Sequence, residues 1–192
     1  MIVRPEALAY IEKHDILYAD GRRASYHRRA YRWMMQEMVK RIGPPARKGL
    51  YPLWAWYQWC GPARKKPDLR CSAHIPPGEK GYRLTIKVDN NDILLSDFDE
   101  WHFALNNWYL SRNEQEDNDF EAELEKAGVT IKTVTKPEHI QRKIEKSWEN
   151  VFDLDTPRAL DWFGSKEQRS IQATMWTLRS DQIKKIESFT SR

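Results

Sequence analysis

The sequence predicts an α+β fold, a single domain over residues 1–192 in which helices flank a mixed or antiparallel central sheet. Three observations carry that expectation. Apolar residues recur at helical spacing in several blocks, separated by turn signals rich in Gly, Pro, Asn and Asp. Strand-like runs cluster in the middle of the chain and at its C-terminal end. With 192 residues, 40% apolar and 12% aromatic, the chain can bury a real core, which excludes wholesale disorder.

Taken in order, Pro5 to His14 reads as a short helix, with Pro in its first turn and Leu8 and Ile11 spaced for one face. A longer helix is expected from about Ser25, which can cap it, to Arg41, stopped by Gly43-Pro44-Pro45. Tyr31, Met34 and Met38 line its apolar side. Leu50 to Gln58 is an aromatic strand, and 60–80 a loop rich in Pro and Lys. Tyr82 to Val88 alternates apolar and polar residues as a half-solvated strand does. A short strand at 93–95 then runs into a helix over 97–110. The acidic run Asn113–Asp119 reads as a solvated loop or a helix start. Helices follow at 119–127 and 137–148, with a strand-like Val129–Val134 between them. Residues 153–169 read as irregular. A strand at 171–178, a helical turn at 181–183 and a last strand near 186–189 close the chain. Strands 50–58, 82–88 and 171–178 are expected in one sheet, with the helix at 25–41 packed on it.

Tyr51-Pro52-Leu53-Trp54-Ala55-Trp56-Tyr57-Gln58-Trp59 is the densest signal. Trp and Tyr carry an N–H or O–H that needs a partner once buried, unlike Val, Ile or Leu. Trp54, Trp56 and Gln58 are therefore candidate walls of a site that stacks a flat ligand. A second candidate lies on the helix after Ser96, where Asp99 and His102 sit one turn apart, the geometry a carboxylate needs to orient an imidazole for acid–base work. The plainer reading is equally physical: Ser96-x-x-Asp99 matches a capping box, and Asp97 and Asp99 suit the helix dipole. In Lys66-Pro67-Asp68-Leu69-Arg70, Arg70 can grip a phosphate with Asp68 holding it, or the two can form a local loop pair. Gln172, a polar residue in an otherwise apolar strand, completes the set.

Residues 1–88 hold 18 Lys and Arg against 7 Asp and Glu, while the remainder is net acidic. Such asymmetry points either to polyanion contact through the basic half or to two halves that neutralise each other. No apolar stretch approaches the roughly 18 residues of a membrane span. The N-terminal residues show no signal-peptide pattern, so a cytoplasmic location is expected. Cys60 and Cys71 are read as free thiols, and the five His do not fall at zinc-site spacings. GxGxxG, P-loop, HExxH and GxSxG motifs are absent, which argues against Rossmann, NTPase, zincin and α/β-hydrolase readings.

The runs at 51–58, 66–70, 94–102 and 171–176 resemble a bacterial family of domains of unknown function over nearly the whole chain. A more distant likeness is to the ADP-ribosyltransferase fold, through Asp15–Gly21 and through Ile171-Gln172-Ala173 followed by Gln182–Ile186. The cofactor stays unknown at this point, with NAD a candidate, and that likeness sets Gln172 where the fold usually has its catalytic Glu. A Gln can bond a ribose hydroxyl but carries no charge to stabilise an oxocarbenium-like transition state. Two functions follow as expectations. One is an enzyme-like protein acting on a nucleotide or nucleic acid, with Asp99, His102 and Gln172 catalytic and Trp54, Trp56, Gln58, Asp68, Arg70 and Asp97 binding. The other is a non-catalytic module that binds nucleic acid or protein through the basic half.

Overall fold

Along the aromatic strand the side chains alternate in direction, and that alternation sorts the molecule into layers. A computed structural model describes residues 1–19, 21–61, 66–67, 69, 74–156 and 168–192, the side chains of Arg22 and Arg23 excepted. The described chain runs β1 (Ile2–Val3), α1 (Pro5–His14), β2 (Ile16–Leu17), α2 (Arg28–Ile42), β3 (Leu53–Gln58), β4 (Lys80–Ile86) and β5 (Leu94–Asp97). It continues through α3 (Phe98–Leu105), α4 (Glu114–Lys126), α5 (Glu138–Ser147), β6 (Ile171–Met175), β7 (Leu178–Arg179) and β8 (Ile183–Thr190). The fold is α+β, and every described strand pair is antiparallel.

The expected single sheet is three. The strands order as β3-β6-β5, β1-β4-β8 and β2-β7. Strand 82–88 therefore does not join the aromatic strand. Its neighbour is β8, in register from Lys80 opposite Thr190 to Leu84 opposite Ile186. The reason is packing: Leu53, Ala55, Ala173 and Met175 on one face of the β3-β6-β5 sheet share a core with Leu84, Leu8, Ile11 and Leu17. Two sheets that meet through their faces cannot also be edges of one another. The run at 171–178 is likewise split, and β7 pairs with β2 instead.

On the opposite face, Trp54 and Leu94 meet the larger, helical core of Trp33, Met34, Met38, Trp101, Ile140, Ile144 and Trp148. Helix α2 packs there as expected, with the Tyr31 ring edge-on to Trp54 at 6.1 Å. Its start differs: a 3₁₀ helix over Arg22–His27 precedes it, and no side chain caps it, so Ser25 is not the cap.

Helix α3 stops at Leu105 rather than 110. Asn107 takes a left-handed φ of 56°, and the Trp108 N–H donates to the Phe103 carbonyl at 2.8 Å, closing the helix end. Trp108 consequently lies outside the helix expected over 97–110 and is 42% exposed. Tyr109 leaves the helix too, stacking on Phe120 at 4.0 Å and donating to Glu116 at 2.8 Å. The acidic run begins α4, with Asn113 capping the Glu116 N–H. Val129–Val134 is a turn and not a strand. The Thr133 N–H donates to the Thr130 carbonyl, folding the run on itself, and Val134 stands 93% exposed.

Trp148 closes the helical core, fully buried, edge-on to Trp33 at 5.5 Å, with its Nε1 donating to the Trp108 carbonyl at 2.7 Å. Trp148→Ala is expected to lower unfolding free energy by about 3–5 kcal/mol, read as a shift in the urea midpoint at unchanged slope. A midpoint within experimental error of wild type would contradict this account of the core.

Candidate functional site

Strand pairing brings some of the expected residues together and separates others. Across the central sheet, Trp56, Gln172 and Ser96 lie side by side in one row, and Trp54, Thr174 and Leu94 in the next. Both rows face the helical core. Thr174 donates its hydroxyl to the Leu94 carbonyl at 3.1 Å. The Ser96 Oγ, Gln172 Oε1 and Trp54 Nε1 are buried with no hydrogen-bond partner. Ring contacts extend the Trp56 row: Trp59 at 4.5 Å, Phe98 at 4.8 Å and His74 at 6.0 Å.

Asp97 and Gln58 turn to a different role, and both meet Arg169. Arg169 and Asp97 are buried, with Nε and Oδ2 2.8 Å apart, and Glu100 stands 3.6 Å from the same guanidinium. The Arg169 Nη1 donates to the carbonyls of Leu154 at 2.8 Å and Asp153 at 3.3 Å. Its own carbonyl accepts from Gln58 Nε2 at 2.9 Å and from the Gly61 N–H at 3.0 Å. Burial pushes the Asp97 carboxyl above the ordinary carboxylate range, against the opposing pull of the Glu100 N–H and of Arg169. Asp97 also caps α3, accepting from the Glu100 N–H at 3.0 Å. The cap is therefore one residue later than a Ser96-x-x-Asp99 box, because α3 begins at Phe98 and the residue directly before it is Asp97.

Asp99 and His102 lie on the exposed side of α3, and the His102 Nδ1 sits 2.9 Å from the Phe98 carbonyl one turn back. Asp68 and Arg70 lie outside the described residues. Cys60 is an exposed free thiol, and Cys71 is outside the described residues. Among the described residues no cluster of His, Cys, Asp or Glu is arranged to hold a metal. No described helix is long and apolar enough to cross a membrane.

Sequence reasoning missed a cleft of about 1240 Å³ at the start of β3, between α1, β2 and the segment 47–52. Trp54 and His74 line it, so it adjoins the Trp56 row. Tyr51 lies on Gly21, whose left-handed φ of 73° and missing Cβ let the ring approach; a Cβ there would stand 2.4 Å from it. The Arg47 guanidinium covers the Tyr18 ring at 4.2 Å. Three nitrogens of lining residues, Arg4 Nε, Trp54 Nε1 and His74 Nε2, are buried without a partner. Burial also holds His74 below the usual histidine range, so its ring is neutral at pH 7. Trp54 was the sole one of these that the sequence flagged. Arg4 and His74 come from distant segments, and Arg169 from a stretch with no periodic pattern.

Charge is partly matched between the halves. Arg29 pairs with Glu145 at 3.0 Å and Arg83 with Glu187 at 3.0 Å. Arg47 and Lys48, at the cleft mouth, have no carboxylate partner among the described residues and are exposed.

A family model described as a domain of unknown function (DUF3841) matches residues 6–184. No curated protein and no solved structure matches the chain.

The ion cluster yields a pH-dependent expectation. Arg169→Ala leaves Asp97 buried without its cation, and breaking such a pair costs about 3–5 kcal/mol near pH 7. The carboxyl's folded pKa then rises further above its unfolded value of about 4, so the folded state binds the extra proton. Stability of the variant should accordingly recover as pH falls through that folded pKa toward about 4, converging on wild type. Urea midpoints for both proteins across that range check it; a deficit that stays constant with pH contradicts the assignment.

Proposed function

This chain belongs to the DUF3841 family, and we propose that it binds an acceptor-rich aromatic ligand, a nucleotide, in the cleft at the start of β3. The observation that carries this reading is one large opening, three of whose lining residues, Arg4, Trp54 and His74, each hold a buried nitrogen without a partner that a small turn of the side chain would bring to a ligand. A buried donor without an acceptor costs about 1–3 kcal/mol, a cost that a ligand's oxygens would remove. The walls carry Tyr18, Tyr31 and Tyr51, flat faces suited to a base, and Arg47 and Lys48 suit a polyphosphate. The volume exceeds the roughly 300–1,000 Å³ of an ordinary small-ligand pocket, leaving room for a second nucleoside as in NAD.

Binding, rather than turnover, is the role this arrangement supports. Glu6 is the sole carboxylate among the described lining residues, and Asp99 and His102 belong to the exposed side of α3. Pairing of Arg29 and Arg83 with acids of the other half also weighs against a continuous basic face for nucleic acid.

Calorimetric titration with ATP, NAD, adenosine, tripolyphosphate and a short single-stranded oligonucleotide, at two salt concentrations, tests the reading. A phosphorylated nucleoside should bind more tightly than either adenosine or tripolyphosphate alone. Arg47→Glu with Lys48→Glu, both exposed, should weaken it roughly tenfold or more while leaving the melting temperature unchanged. Nucleotides that fail to bind, or an unaffected double variant, overturn it. Preference for the oligonucleotide, lost at high salt, transfers the function to the basic surface.

A further inference from the structure

The second sheet ends in an open edge. Among the described residues β8 pairs with β4 along one side only, and the order β1-β4-β8 sets no strand on its other side. Among the described residues no backbone bond reaches that outer side. Soluble proteins rarely leave eight residues of edge strand bare, because unpaired N–H and C=O groups template further pairing. Here the edge is also apolar at its centre. Ile186, opposite the buried Leu84, is 46% exposed, an apolar side chain beside the inter-sheet core that the described residues leave half open.

We propose that the missing strand is β8 of a second copy of this chain, paired antiparallel about a two-fold axis at Ile186. Charge complementarity argues for a second copy as the occupant and for this register over its neighbours centred on 185 and 187. From Lys185 onward, past the bulge at Lys184 that sets Lys185 opposite Thr85 but Ile183 opposite Ile86, a two-fold axis normal to the sheet keeps each residue on its own face, so only residues of equal parity meet. Centred on Ile186, the pairing sets Ile186 against its copy on the core side. It also sets Lys185 against the partner's Glu187, twice by symmetry, on the other face. Centred on 185 or 187, the same operation sets like charges opposite each other, which is unfavourable. Glu187 is already held by Arg83 at 3.0 Å, with Lys185 of its own strand at 3.0 Å. This neighbourhood holds the Glu187 carboxyl down at about 2, so it stays ionised at neutral pH. A second lysine from the partner would extend an existing charged ladder rather than create a new one. The Lys residues at 184 and 185 keep the edge from pairing at other registers, so the strand accepts its copy and repels misaligned chains.

Sedimentation velocity on the full chain, from low to high micromolar concentration, reads the assembly. Wild type should dimerise. Lys185→Glu alone and Glu187→Lys alone each place like charges opposite in their own homodimers, so each should weaken self-association roughly tenfold or more. Mixed in equal amounts, the two should dimerise again, because every 185–187 contact then joins opposite charges. Circular dichroism melts of each variant establish that it is folded, and Ile186→Lys supplies an independent break of the centre. Recovery on mixing is an outcome that a merely structural role for either residue does not produce. A wild-type monomer throughout the range overturns the proposal, as does a dimer that survives all three single changes or variants that stay monomeric when mixed.

Discussion

A guanidinium buried at the end of a sheet keeps its charge only if carboxylates and carbonyls surround it, and the region around Arg169 is organised by that demand. Asp97 and Glu100 supply charge from the turn between β5 and α3, and the Asp153 and Leu154 carbonyls come from the far side of the helical layer. The backbone beside Arg169 is held just as firmly. Its carbonyl takes the Gln58 amide and the Gly61 N–H from the end of β3, Ser170 Oγ takes the Cys60 N–H, and the Ser170 carbonyl takes the Phe98 N–H. The edge strands β3 and β5 are thus fastened to the same two residues that lead into the central strand β6. Removing the charge would leave the β3-β6-β5 ladders but strip the buried carboxylates at the β5–α3 turn of their counter-ion.

That fixed junction is what allows the aromatic strand to be used on both faces. With its C-terminal end anchored, β3 presents Leu53 and Ala55 to the inter-sheet core, and Trp54 and Trp56 to the helical side. Trp54 joins a ring network with Tyr31 and Trp101, the latter at 5.2 Å, so its indole position is set by packing and not by a hydrogen bond. Trp148 and Trp176 show the usual alternative, each placing its Nε1 on a backbone carbonyl. The unpartnered Nε1 of Trp54 is the exception, and Trp54 also lines the cleft.

What the residues determined by themselves was local: which segments are helices, which are strands, and that the fold is α+β. Leu8 and Ile11, Met34 and Met38, and the two-residue alternation through β4 carry that information in their spacing, because periodicity follows from backbone geometry alone. The end of α3 was less legible, since Asn106-Asn107 can continue a helix or close one, and the closing bond to Phe103 decides it. Val129–Val134 shows the limit of propensity, for β-branched residues make a strand only where an edge exists to receive them.

Only tertiary structure decided which strands share a sheet, and with that, which polar groups share a place. Gln172 meets Trp56 and Ser96 through register across segments more than seventy residues apart, and Arg169 finds Asp97 the same way. Neither leaves a periodic trace, because a long-range contact depends on how the layers stack rather than on spacing within one element. The cleft is the extreme case. Arg4, Gly21, Arg47, Trp54 and His74 belong to separate segments, and their common feature is the space they enclose. The aromatic run announced that something polar had to be satisfied at Trp54; which neighbours would leave it unsatisfied was set by the stacking of two sheets and a helix.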